Sequence, residues 1–254
     1  MRYFLTLSYD GTAYHGWQVQ PNADSIQARL NDALTKLLST PTECVGAGRT
    51  DTGVHASKMV AHFETEQPIV DTEQFVFRLN RILPLDIAVQ KVERVPDDFH
   101  ARFSATQRTY HYFVHTEKSP YRRHYSHRLT FEPNYAAMNE AAALLLDLDD
   151  FTSFSKLNND QKTNLCRVTQ AQWKQIENDA WRFEITANRF LRNMVRAVVG
   201  TLLEVGRGRM TLEEFRAVIA AHDRCKAGES VAANALFLVD IRYPEHSESS
   251  QPTE

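Results

Sequence analysis

Cysteine is scarce in this chain. The three copies, Cys44, Cys166 and Cys225, lie far apart and show no metal-ligand spacing. An odd, unclustered set points to reduced, mostly buried thiols in a reducing compartment. A zinc site needs several Cys or His ligands brought together, and nothing local does that. No apolar run approaches a membrane span. The N-terminus, "MRYFLTLSYDG", alternates like a strand and lacks an apolar signal core with a cleavage site, so the cytoplasm is the expected compartment. Net charge is only −3, which excludes a bulk polycation but leaves room for a local nucleic-acid patch. Arginine does cluster: Arg102 and Arg108, Arg122 and Arg123, then Arg189, Arg192, Arg196, Arg207 and Arg209. For any one cluster the plain alternative is solvated surface charge. The remaining composition, 43% hydrophobic and 24% charged over 254 residues, is that of a globular protein with one large domain or two compact halves.

The hydrophobic pattern switches between periods of two and of three to four. "YFLTLSY" (3–9) reads as a strand ended by Asp10-Gly11. Asp24 and Gln27 resemble a capping box ahead of a helix carrying Ile26, Leu30, Ala33, Leu34, Leu37 and Leu38. Asp71 and Gln74 cap a second helix, which Pro84 stops. "KMVAHFET", "DIAVQKVERV" and "RTYHYFVH" are further strands of the first half. In the second half "HRLTFE" reads as a strand and Asn134 to Leu146 as a helix. "RVTQAQWKQIE" and "AWRFEITAN" flank the hairpin signal Asn178-Asp179. A helix from about Phe190 to Val205, a short one from Thr211 and a last strand, "ALFLVDIRY", complete it. Strands and helices intermix without strict alternation, which predicts an α+β fold. We expect two related halves, each an antiparallel sheet with helices packed on one face, the sheets joined around a central cleft. The expected divisions are 1–115, 116–244 and a disordered polar tail, 245–254.

The stretch "GAGRTDTGVHAS" (46–57) is the chemical focus. It sets Asp51 among Gly46, Gly48 and Gly53, two residues after Arg49. An Asp in a glycine-rich turn usually bonds nearby backbone. Here strands on both sides would hold the loop rigidly, and the glycines would permit close approach of another molecule. Asp51-Thr52-Gly53 spells the aspartic-protease triplet, but those enzymes share a proton between two carboxylates, and the chain has no second Asp-Thr-Gly. A neighbouring arginine would keep a carboxylate ionised. That state suits a nucleophile better than half of a shared-proton pair.

"GRTDTGVHA" closely resembles the catalytic motif of tRNA pseudouridine synthases. The chain as a whole is similar to the tRNA pseudouridine synthase A family, through "SYDGTAYHGWQ", "LPLDIAV", "DDFHARFSATQRTYHYFV", "DDFTSFS", "NRFLRNMVRAVVGTLLEVG" and "ALFLVDIRYP". The resemblance implies isomerisation of uridine to pseudouridine at positions 38, 39 and 40 of the tRNA anticodon arm, with Asp51 as nucleophile and no metal or organic cofactor. It implies a homodimer whose tRNA spans both subunits. Tyr110 matches the family's active-site tyrosine, able to stack on an extruded base and to exchange a proton; Tyr112, on the same side of the strand, is its rival. Arg196 matches a basic position that pairs with the catalytic Asp in the family. On the expected helix, Arg189 and Arg192 share a surface with Arg196 and extend toward phosphate. Arg49 is either a binder of the nucleotide backbone or a steadying partner for Asp51, and His55 is equally consistent with loop structure. The alternative from another class is a non-catalytic RNA-binding module.

Several other features bear on the same question. His111 and His115 have a spacing that suits zinc on a helix, whereas their segment reads as strand. Phe99, His100 and Phe103 are open to packing or stacking. The chain departs from the family at Thr52, where alanine is common, and at Ala235, where glycine is often found. The first bears on loop hydrogen bonding and the second on turn geometry.

Overall fold

The structure, a computed structural model, describes residues 1–156 and 163–245. The tail expected at 245–254 lies outside the described residues except for Glu245. Contacts divide the chain into two compact units, Met1–Thr106 with the segment from Leu238 onward, and Gln107–Phe237. Both are α+β, as the pattern predicts.

The first unit is built on β1 (Arg2–Tyr9), which pairs antiparallel with β3 (His55–Glu64) on one side and β4 (Ile87–Val95) on the other. The two-residue strand β2 (Val45–Gly46) also pairs with β3. The final strand, β9 (Leu236–Arg242), lies beside β3 and gives the order β4-β1-β3-β9. Two helices cover this sheet's core, α1 (Ile26–Leu38) and α2 (Thr72–Ile82). Ile26, Leu30, Leu34, Phe75 and Leu79 of the helices are buried, as are Leu5 and Leu7 of β1, and Phe75 stacks on Phe63 of β3 at 6.0 Å. Asp71 accepts the Gln74 N–H at the start of α2, as expected. The cap of α1 differs from expectation: Ser25, not Asp24, accepts the Ala28 N–H, because Asp24 is held bidentate by Arg29. Gln27 is drawn away as well, donating to the Cys44 carbonyl.

The second unit carries β5 (Gln107–His115), β8 (Ala180–Ala187) and β7 (Val168–Glu177) as an antiparallel sheet in that order. Helices α3 (Tyr135–Ala143), α4 (Met194–Gly206) and α5 (Leu212–Ala220) complete it. Thr211 and Glu214 form a reciprocal capping box on α5. Of "HRLTFE" only β6 (His127–Arg128) is strand, and it runs parallel to β5. The expected seam at 115/116 differs from the observed partition. β5 groups with the second unit because its whole length pairs with β8, and the last strand closes the first unit's sheet beside β3.

Cys44 and Cys166 are buried and Cys225 is exposed. Burial pushes the Cys44 thiol up to about 12, which marks it as an inert core residue. Among the described residues no helix is long and apolar enough to cross a membrane.

Candidate active site

Asp51 sits in the loop between β2 and β3, half-buried, with Arg49 exposed and Thr50 buried beside it. The loop is fixed by backbone contacts on each side of the carboxylate. The Ala47 N–H donates to the Val60 carbonyl at 2.8 Å, and the Val54 N–H closes a turn onto the Asp51 carbonyl at 3.1 Å. Gly53, inside that turn, has φ +75°, a region that costs a residue with a Cβ. The Thr50 hydroxyl is 2.9 Å from that of Tyr9 in a buried pair.

A second segment, the loop after β1 that carries "DGTAYHGW", straps this loop from outside. The Trp17 N–H donates to the Thr50 carbonyl at 3.2 Å, and the Gly53 N–H to the Tyr14 carbonyl at 3.4 Å. His55 is buried, its Nδ1 3.0 Å from both the Gly11 N–H nitrogen and Asp10 Oδ1. The two glycines are there because nothing larger fits. A Cβ on Gly11 would lie 2.1 Å from the Val54 carbonyl oxygen, and one on Gly16 would lie 2.3 Å from that of Thr50. Gly16 also has φ +87°. Gly46 is pressed against Trp17, its would-be Cβ 2.5 Å from the indole, whereas Gly48 has open space. Gly11, Gly16 and His55 are therefore the supports of the Asp51 loop. The sequence signal was "SYDGTAYHGWQ", whose paired glycines mark a close backbone approach.

Arg49 forms no hydrogen bond or ion pair among the described residues. Its role as a steadying partner for Asp51 thus lacks a contact among the described residues. Thr52 is exposed, and its side chain makes no hydrogen bond among the described residues, so the departure at this position leaves the loop as built. Ala235 lies in a short 3-10 turn, Ala233–Ala235, without positive φ, so no glycine is required there.

In the second unit, Tyr110 and Tyr112 lie on one face of β5, as their spacing predicts. Their environments separate them. Tyr110 is half-buried, its ring edge-on to Phe190 at 5.0 Å. Tyr112 is fully buried, and its hydroxyl has no hydrogen-bond partner among the described residues. Burial pushes its phenol well above the ordinary range, with the Arg196 charge opposing. Tyr112 is core, whereas Tyr110 is only partly buried.

Arg196 lies in the first turn of α4, half-buried, with its Nε donating to the Val231 carbonyl at 2.7 Å. The expected helix from Phe190 is corrected: Asn193 takes φ +65° at the N-cap, so helical geometry begins only at Met194. Arg189 and Arg192 consequently lie in the loop before α4 and share no helix face with Arg196. Arg192 is exposed and Arg189 half-buried. The same loop carries Phe190, against which Tyr110 packs, so the loop joins the expected basic positions to the tyrosine.

Two arginines of the other clusters have structural partners. Arg122 clasps the β7–β8 hairpin through Asp179 at 2.8 Å and through Glu177. Arg207 stacks over Phe131 at 4.2 Å. His111 and His115 serve separately, the first 3.9 Å from Glu184 and the second 2.8 Å from Ser126. Among the described residues no group of three or more His, Cys, Asp or Glu is placed to hold a metal ion.

A family model described as tRNA pseudouridine synthase matches residues 6–104 and 141–244. Fold and match together define the class, that of the pseudouridine synthases. Curated relatives narrow it. The chain is 56% identical over 246 residues to tRNA pseudouridine synthase A of Bacteroides thetaiotaomicron, covering 96% of this chain and 91% of that one. It is 55% identical to the protein of the same name from Bacteroides fragilis, covering 96% and 97%. To that of Bacillus subtilis it is 39% identical, covering 96% and 99%. The chain belongs to the tRNA pseudouridine synthase A family.

Proposed function

We propose that the protein isomerises uridine to pseudouridine at positions 38, 39 and 40 of the tRNA anticodon arm, with Asp51 as the nucleophile. The observation that carries this is the Asp51 loop. It presents one carboxylate beside an uncommitted arginine and is braced by a glycine strap, in a chain of this family. The reaction breaks the N1–C1′ bond, turns the uracil, and joins C5 to C1′. C5 gives up its proton and N1 gains one, so no water is consumed and no cofactor is called for. One carboxylate serves this chemistry by attack on the sugar, attack on the base, or removal of a sugar proton. Rigid support matters because the detached base must be held while it turns and water is kept out.

Tyr110 takes the target base, by stacking and through its hydroxyl. Arg196 supplies positive charge, and Arg49, Arg189 and Arg192 meet the RNA backbone. The target must leave its stem, at a cost of a few kcal/mol that such contacts offset. A homodimer in the cytoplasm, with one tRNA across both subunits, would let a modestly acidic chain assemble a broad basic surface.

The test is incubation with unmodified tRNA and mapping of pseudouridine at nucleotide resolution. Product at 38, 39 and 40 supports the assignment. Tight tRNA binding with no product anywhere would overturn it in favour of a non-catalytic RNA-binding module.

A further inference from the structure

We propose that Phe103, with Arg102, forms a stacking platform for one unpaired nucleobase of the RNA substrate. The inference deepens the RNA-acting function proposed above and rests on it. The three aromatic residues of "DFHARFS" have parted ways in the fold. Phe99 packs inward, 5.4 Å from Phe4 and 5.8 Å from Tyr243. His100 is wedged between rings, 4.5 Å from buried His62 and 4.4 Å from Phe103. Phe103 is left 76% exposed.

That exposure is built rather than loose. The His100 N–H donates to Ser104 Oγ and the Ser104 N–H returns to the His100 carbonyl, both at 2.9 Å. The His100 ring accepts from the backbone N–H groups of Arg102 at 3.0 Å and Phe103 at 3.3 Å. Its pKa is held below the usual histidine range by burial, so Nδ1 stays an acceptor at neutral pH. Ala101, at the centre of the turn, is fully buried: its N–H donates to His62 Nδ1 at 3.1 Å and its carbonyl accepts from the Tyr243 hydroxyl at 2.6 Å. The turn is anchored in the core while its tip holds an aromatic ring in water. The Arg102 guanidinium lies 5.6 Å over that ring. A ring with a planar cation beside it suits the π face of a base, whose stacking tolerates any sequence. One ring and one guanidinium match the size of a base and are far too small for a stable protein interface.

The test measures equilibrium binding of the full chain to an unmodified tRNA transcript across a salt series, for the parent, Phe103→Ala and Phe103→Trp. Phe103→Ala is expected to bind about tenfold more weakly, the loss of one stack. The slope of log Kd against log salt should stay at the parental value, because no charge is removed. Phe103→Trp should bind as well as the parent, and adding tRNA should quench more of its tryptophan emission than of the parent's, which comes from Trp17, Trp173 and Trp181 alone. This second variant decides the matter if the alanine chain fails to fold. Affinity within twofold of the parent for Phe103→Ala, or tRNA quenching of Phe103→Trp no greater than the parent's, would overturn the platform. So would a change of oligomeric state with RNA affinity intact, which would mark a protein contact instead. The outcomes separate from those for catalysis. A parent that makes no pseudouridine while Phe103→Ala loses RNA affinity leaves the platform standing and removes the enzyme assignment. A parent that makes pseudouridine while Phe103→Ala binds normally does the reverse.

Discussion

Replacing Gly16 by alanine should damage catalysis from outside the catalytic loop. Gly16 has φ +87°, and a side chain held there costs about 1–2 kcal/mol. The new Cβ would also sit 2.3 Å from the Thr50 carbonyl oxygen and 3.1 Å from the Asp51 carbonyl carbon. To restore a separation of about 3 Å, the Thr50 carbonyl must retreat by about 0.7 Å, and close-packed interiors absorb such shifts poorly. The retreat stretches the Trp17-to-Thr50 hydrogen bond, already 3.2 Å long. Losing it adds about 1 kcal/mol. We therefore expect a stability loss of about 2–3 kcal/mol in urea denaturation. Because Thr50 precedes Asp51 directly, the displacement passes to the carboxylate. A shift approaching 1 Å costs about 10- to 100-fold in rate. The assay is tritium release from tRNA labelled at uridine C5, under single turnover at saturating enzyme. Gly48→Ala is the control: nothing lies within 4 Å of its Cβ position and its φ is not positive. Its stability should stay within about 0.5 kcal/mol of the parent. A Gly16→Ala protein with parental stability and parental rate would refute the claim that the strap holds the loop.

Tyr110→Phe keeps the ring that packs against Phe190 and removes only the hydroxyl, so turnover should fall while tRNA affinity stays near parental; equal losses of stability and activity would return Tyr110 to the core. Tyr112→Phe should be neutral or stabilising by about 1 kcal/mol in urea denaturation, since its buried hydroxyl has no partner to lose; a loss above that would reveal a hidden bond. His62 is held neutral first by burial, with proximity to His100 and the Arg2 guanidinium further opposing its protonation, its pKa lowered to about 4. The unfolded chain takes up this proton near pH 6.5 and the native one only near 4, so stability contributed at neutral pH should fall between those values. The loss should level off at about 3 kcal/mol below pH 4. An imidazole signal for His62 titrating near 6.5 by NMR would contradict this.

The sequence patterns carried the elements well where two signals agreed. Strand alternation placed β1, β4, β5, β7 and β8 within a residue or two, and Thr211 with its following glutamates marked α5 correctly. The patterns failed where a competing local contact or backbone conformation prevailed. Arg29 claims Asp24, so Ser25 caps α1. The basic run from Arg189 has helical spacing, yet Asn193 in the left-handed region delays α4 and puts two of its arginines on a loop. The carboxylate loop was legible from its motif, but its supports were not. Gly11 and Gly16 are distant in sequence from the loop's own turn, and only the fold shows that they touch its backbone and that His55, just after the turn, accepts from the Gly11 N–H. Tyr110 and Tyr112 were indistinguishable by spacing and are separated by burial alone.

The most direct test of the central claim is Asp51→Asn in a single-turnover tritium-release experiment, with Kd for the same tRNA measured in parallel. The substitution preserves the shape of the side chain and leaves the strap contacts, which run through neighbouring backbone, in place. No release above background is expected while tRNA still binds within about threefold of the parent, as follows if Asp51 is the proposed nucleophile and contributes little to affinity. Release at the parental rate would contradict it.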